Sequence, residues 1–156
     1  MDARTSRSPF YLRKQRRELR EKIYHEAEKL GPLRGTALAV VDYVYSFVSP
    51  DEDINAPYFE KKTDWVLKPD NWIALTFGGR GGYAIHVSVG MPTLSARTEL
   101  NLRPGRFPDW TKFTITSPQQ LPSAMLYLEE AYYGADSRHR RLHGKPKRKP
   151  AGVSPP

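Results

Sequence analysis

Between Asn71 and Val89 the chain alternates apolar and polar residues on either side of a glycine-rich break, and no other stretch limits the fold as strongly. Ile73, Leu75 and Phe77 alternate with Trp72, Ala74 and Thr76; Tyr83, Ile85, Val87 and Val89 alternate with Ala84, His86 and Ser88. A period of two is the period of a strand. The Gly78-Gly79-Arg80-Gly81-Gly82 turn between the two runs predicts an antiparallel hairpin. Such a hairpin has one apolar face, and another layer must cover it.

The flanking sequence supplies that layer. Ser8-Pro9 is an N-cap followed by a proline at the first helical position. Leu12, Leu19, Ile23, Ala27 and Leu30 follow at helical spacing, and Gly31-Pro32 is a stop. A second helix is predicted from Thr36 to Val48, apolar around most of its circumference and therefore central to the core. Ser49-Pro50 closes it, and an irregular stretch with Asp51-Glu52-Asp53 runs to Pro57. Ser117-Pro118-Gln119-Gln120 reads as a capping box; Leu121, Met125, Leu128 and Tyr132 continue as a third helix, with Gly134 as its expected end. Further strands are expected at Thr63–Leu67, around Thr98, Leu100 and Leu102, and around Thr111, Phe113 and Ile115, with Arg103-Pro104-Gly105-Arg106 as a turn.

The predicted fold class is α+β: two N-terminal helices, a four- to five-stranded mostly antiparallel sheet, and a C-terminal helix packed on one sheet face. Residues 1–7 are expected to be disordered, 8–31 to form a basic amphipathic helix, 32–135 the α+β domain, and 136–156 a disordered basic tail.

Charge is distributed unevenly. The net charge is +8, yet residues 1–20 carry seven basic and two acidic side chains, and residues 137–156 carry seven basic and none acidic. The intervening 116 residues hold 11 basic and 15 acidic side chains, a net of −4. Attraction to a polyanion therefore belongs first to the two ends. Arg13, Lys14, Arg16, Arg17 and Arg20 crowd the first helix; Arg138, Arg140, Arg141, Lys145, Lys147, Arg148 and Lys149 fill the last twenty residues. Both segments suit neutralisation of phosphates with release of counterions. The bland alternatives are a solvated helix face with pairs such as Arg17 and Glu21, and a solubilising or localisation tail.

Other chemistry has little footing. With no cysteine in the chain, thiolate nucleophiles and Cys-ligated zinc are excluded. His25, His86, His139 and His143 are scattered, and the Asp51-Glu52-Asp53 run lacks the spaced ligands of a calcium loop. No metal or cofactor is expected. A metal-dependent hydrolase would have to use Asp64 and Glu99, the least favoured reading. On the polar sheet face Trp72, His86, Arg103 and Lys112 form a possible surface site, where an exposed tryptophan could stack a base or anchor a protein partner; the favoured reading of Trp72 itself is burial under the first helix or packing at an edge, since tryptophan is usually largely buried. No apolar run is long enough for a membrane span and no secretory signal pattern follows the N-terminus, so a cytoplasmic protein, or a nuclear one in a eukaryote, is expected.

From Gly35 to Tyr133, a buried helix, a short aromatic strand, a hairpin, the Trp110-Thr111-Lys112-Phe113-Thr114-Ile115 strand and a final Leu128-Glu129-Glu130-Ala131-Tyr132 helix follow in turn. This order resembles the small DUF5655-type domains, found alone or attached to DNA-associated proteins. The resemblance implies a compact α+β module in a nucleic-acid context and carries over no catalytic residue. The expectation is a non-enzymatic protein whose basic helix and tail contact DNA or RNA; the alternative is an interaction or regulatory module using the polar sheet face.

Overall fold

A computed structural model describes residues 8–47, 57–68, 72–78, 82–90, 98–105 and 110–143, with side chains described as far as Tyr133. Three helices share one core with one face of a six-stranded, wholly antiparallel sheet of order β1-β2-β3-β4-β6-β5. The α+β class holds, with more strands than the sequence suggested.

Helix α1 spans Pro9–Glu28. The Ser8 hydroxyl accepts from the Tyr11 amide at 3.2 Å, as the cap signal foretells. Gly31, at φ +53°, takes the left-handed conformation that ends the segment, and a single 3₁₀ turn leads into α2, Arg34–Tyr45. Ile23, Ala27 and Leu30 are buried, while Leu12 and Leu19 are only half-covered. From α2, Ala37, Val40, Val41 and Val44 enter the core. α1 packs on α2 and on β1, and α2 packs on both α1 and α3. α1 therefore lies on the helix side of the sheet and does not cover its second face.

The strands are β1 Tyr58–Lys61, β2 Trp65–Lys68, β3 Ile73–Gly78, β4 Ala84–Val89, β5 Arg103–Pro104 and β6 Thr111–Ile115. The expected hairpin is present in β3 and β4, with Leu75 opposite Val87 and Thr76 opposite His86. Next, Val87 lies opposite Phe113 and His86 opposite Thr114 of β6. Alternate residues are buried: Phe59, Trp65, Leu67, Ile73, Leu75, Ile85, Val87, Val89, Phe113 and Ile115 line the helix side, while Phe77, next in the β3 series, is only half-buried. None of the intervening strand positions is buried.

Four expectations are corrected. The stretch read as irregular before Pro57 is followed at once by strand β1, missed because four residues with one buried Phe59 show almost no alternation. Thr98–Leu100 is a 3₁₀ turn rather than a strand, and Arg103-Pro104, read as a turn, is the short β5 paired with β6. The C-terminal helix does not stop at Gly134; α3 runs from Leu121 to His143. A helical glycine costs about 1 kcal/mol relative to alanine, which weakens a helix without ending it. The Ser117–Gln120 capping box forms as expected, its first turn being 3₁₀.

Candidate nucleic-acid interface

The helices run in fixed directions relative to one another. Tyr24 of α1 bonds Asp42 of α2, and Arg20 of α1 stacks over the Tyr45 ring, so α1 and α2 are antiparallel. Tyr43 of α2 donates to Glu129 of α3 at 2.9 Å, and Phe47 stacks on Tyr132 with ring centres 4.4 Å apart, so α3 runs in the same direction as α2. The start of α1 and the end of α3 consequently lie at the same end of the helical layer, the end where α2 terminates. Beyond Arg20, α1 extends through residues 9–19; beyond Tyr132, α3 extends through residues 133–143. At 1.5 Å per residue each overshoot is about 16 Å. Basic segments of α1 and α3 thus point to the same end of the helical layer, with α2 packed on both helices.

On α1 the helical repeat sorts its five basic residues into two sets. Arg13, Lys14 and Arg17 are exposed and share one face with Phe10, at positions i, i+3, i+4 and i+7. Phe10 is 73% exposed, and Tyr11 beside it 43%. Lys14 has a 4.0 Å contact with Glu18, an exposed pair of little energetic weight. Arg16 and Arg20 face inward: Arg16 lies 4.0 Å from the centre of the Tyr58 ring and Arg20 4.4 Å from that of Tyr45. These two cations fasten α1 to the edge of the sheet and to α2 by cation–π attraction. At the other arm, Arg138, Arg140 and Arg141 lie on the last turns of α3, so the segment read as a disordered tail is helical as far as His143. Lys145, Lys147, Arg148 and Lys149 lie outside the described residues, as do residues 1–7.

Helix α1 is held to the body by polar contacts as well. Glu26 accepts from Trp65 Nε1 and from Lys61 Nζ, both at 3.1 Å. The Tyr24 hydroxyl is pushed up to about 12, chiefly by burial and then by its bond to Asp42, with Arg20 opposing. Tyr43 is likewise raised to about 12, by burial and by the Glu129 carboxylate. Both phenols are therefore neutral donors near neutral pH.

Of the four residues predicted for the open sheet face, three are there. His86, Arg103 and Lys112 are exposed on β4, β5 and β6. Trp72 is not: its side chain is fully buried against Phe47 and Tyr132, at centroid distances of 6.4 and 5.4 Å. It precedes the first residue of β3, so strand alternation does not govern its direction. No aromatic stacking platform remains in the middle of that face. The hydrolase candidates have separate partners: Asp64 accepts from Thr76, and Glu99 accepts from Ser123. Among the described residues there is no group of three His, Asp or Glu side chains fit to hold a metal. No described helix is long and apolar enough to cross a membrane.

Comparison with protein-family models, with curated proteins and with solved structures gave no match for this chain. The functional reading rests on its own residues.

Proposed function

We propose that the protein binds nucleic acid, DNA or RNA, without catalysing a reaction on it, by holding the phosphate backbone against two basic arms. The observation that carries this reading is the shared pole: antiparallel α1–α2 packing and codirectional α2–α3 packing bring Arg13, Lys14 and Arg17 to the same end as Arg138, Arg140 and Arg141. One run of phosphates can meet both arms, so the binding energies combine on a single ligand. Phe10 and Tyr11 supply exposed rings beside the cations, a combination suited to stacking on unpaired bases. A protein-docking role for the open sheet face is less favoured, because its expected anchor, Trp72, is in the core.

The test is fluorescence anisotropy with labelled single- and double-stranded oligonucleotides across a salt series. Each phosphate neutralised contributes a slope of roughly −0.7 to −0.9 in log K against log salt. Replacing Arg13, Lys14 and Arg17 with glutamine should reduce the slope by about 2, and so should replacing Arg138, Arg140 and Arg141. Salt-independent binding, or none, refutes the proposal.

A further inference from the structure

The sheet face away from the helices carries three basic side chains gathered about one hydroxyl. His86 Nδ1 lies 3.2 Å from Thr114 Oγ1, directly across from it on the neighbouring strand. Arg103 Nη2 donates to the same oxygen at 3.4 Å. To do so it leans along β6 from its own position opposite Lys112. Lys112 in turn has Ser88 as its neighbour on the other side. Three strands therefore deliver an imidazole, a guanidinium and an ammonium to one patch, with Ser88 and Thr114 as the hydroxyls between them.

Two physical facts mark this patch as incomplete. Among the described residues, neither Arg103 nor Lys112 forms an ion pair with a carboxylate. Like charges directly opposite one another across two strands are destabilising, and Arg103 and Lys112 are such a pair. An anion between them turns that repulsion into attraction. The Thr114 hydroxyl also ties two of the three side chains together: with Arg103 donating to Oγ1, its proton can go to His86 Nδ1. The other ring nitrogen, Nε2, faces Gly78 of β3, where a Cβ would stand 3.0 Å from it.

We propose that His86, Arg103 and Lys112, with the hydroxyls of Ser88 and Thr114, form a binding site for a phosphate-class oxyanion. Donors delivered by three neighbouring strands suit the tetrahedral oxygens of a phosphoryl group better than the planar pair of a carboxylate. The Arg103 guanidinium offers further N–H groups beyond the one on Thr114, and Lys112 adds a mobile point charge. The patch is open, so it grips one phosphoryl group rather than enclosing a whole molecule. It is independent of the basic pole, standing on different residues and on the opposite face of the sheet from the helices.

The experiment is a titration of the isotope-labelled full chain with inorganic phosphate, followed by NMR at the His86 ring and at the amides of Ser88, Lys112 and Thr114, with chloride at matched ionic strength as the control. Phosphate should move these signals along saturable curves while chloride leaves them in place. Arg103→Gln and Lys112→Gln should each weaken the response about tenfold, the loss of one charge-assisted hydrogen bond, with no loss of thermal stability, because both side chains are exposed and removing either cation relieves their repulsion. A parallel arm compares an end-phosphorylated oligonucleotide with its hydroxyl-ended twin: a preference for the first identifies a nucleic-acid end as the source, and equal behaviour identifies a small phosphorylated compound. Signals that chloride moves as far as phosphate, or a phosphate response that survives both substitutions, overturn the site. Either result leaves the polyanion reading of the pole to its own salt-slope test.

Discussion

Trp72→Ala deletes an indole enclosed by Phe47 and Tyr132, and the cavity it leaves should lower stability by about 3–5 kcal/mol in urea denaturation. The same substitution should leave phosphate binding on the sheet face unchanged in the folded protein, since the ring is on the other side. Extending the alternation of β3 one residue too far puts Trp72 on the polar face, whereas the burial usual for a tryptophan is what the structure shows; the pleat decides a direction only within paired strand. Tyr24 and Tyr43 set a second expectation at this scale. Their folded values, about 12, lie above the value near 10 of an unfolded tyrosine. A group raised on folding adds stability that is fully present below the unfolded value and disappears as pH climbs through the folded one. Stability should therefore fall between about pH 10 and pH 12, and the Tyr24→Phe, Tyr43→Phe double variant should show a shallower fall in denaturation midpoints over that window. Neither interaction was legible in the sequence, because each joins residues on different helices, 18 and 86 positions apart.

At the scale of elements, capping chemistry was the most legible feature. Ser8 and Ser117 each precede proline at a helix start, and both hydroxyls accept the backbone bonds that the pattern calls for. Ends without such chemistry were misread. Gly134 was taken as a stop, although glycine stops a helix only where the chain turns left-handed, as it does at Gly31. Short edge strands were also invisible: β1 and β5 have four and two residues, too few to establish a period. Helix α1 offers a clean separation of structure from binding. Arg16→Gln or Arg20→Gln should reduce stability by roughly 0.5–2 kcal/mol through loss of the contact with Tyr58 or Tyr45. Arg17→Gln should leave the melting temperature unchanged and lower only the affinity for an oligonucleotide. Sequence gave five equivalent cations; the helical repeat, once its buried side is known from Ile23 and Ala27, divides them.

For the whole molecule, what could not be read in advance is which end of the layer each helix points to. The basic segments are separated by more than a hundred residues, and contacts between helices such as Tyr24–Asp42 and Tyr43–Glu129 bring them to one side. A chain ending at Asp136 keeps Tyr132 and Tyr133 in their contacts with Phe47 and should fold with unchanged stability. It loses every cation of the last twenty residues, and its oligonucleotide affinity at low salt should fall by at least about tenfold, measured against the full chain in the same buffer. The shared pole has a further consequence. With residues 21–136 carrying a net −4 and the described cations of the two arms directed to one end of the helical layer, this separation of charge would give the molecule an electric dipole along its helices. In the field of an extended polyanion such a dipole experiences a torque that turns the arms forward before contact, over a range of about one Debye length, roughly 8–10 Å. Productive encounters would then be selected by orientation during approach, and the association rate would decline with added salt more steeply than the dissociation rate rises.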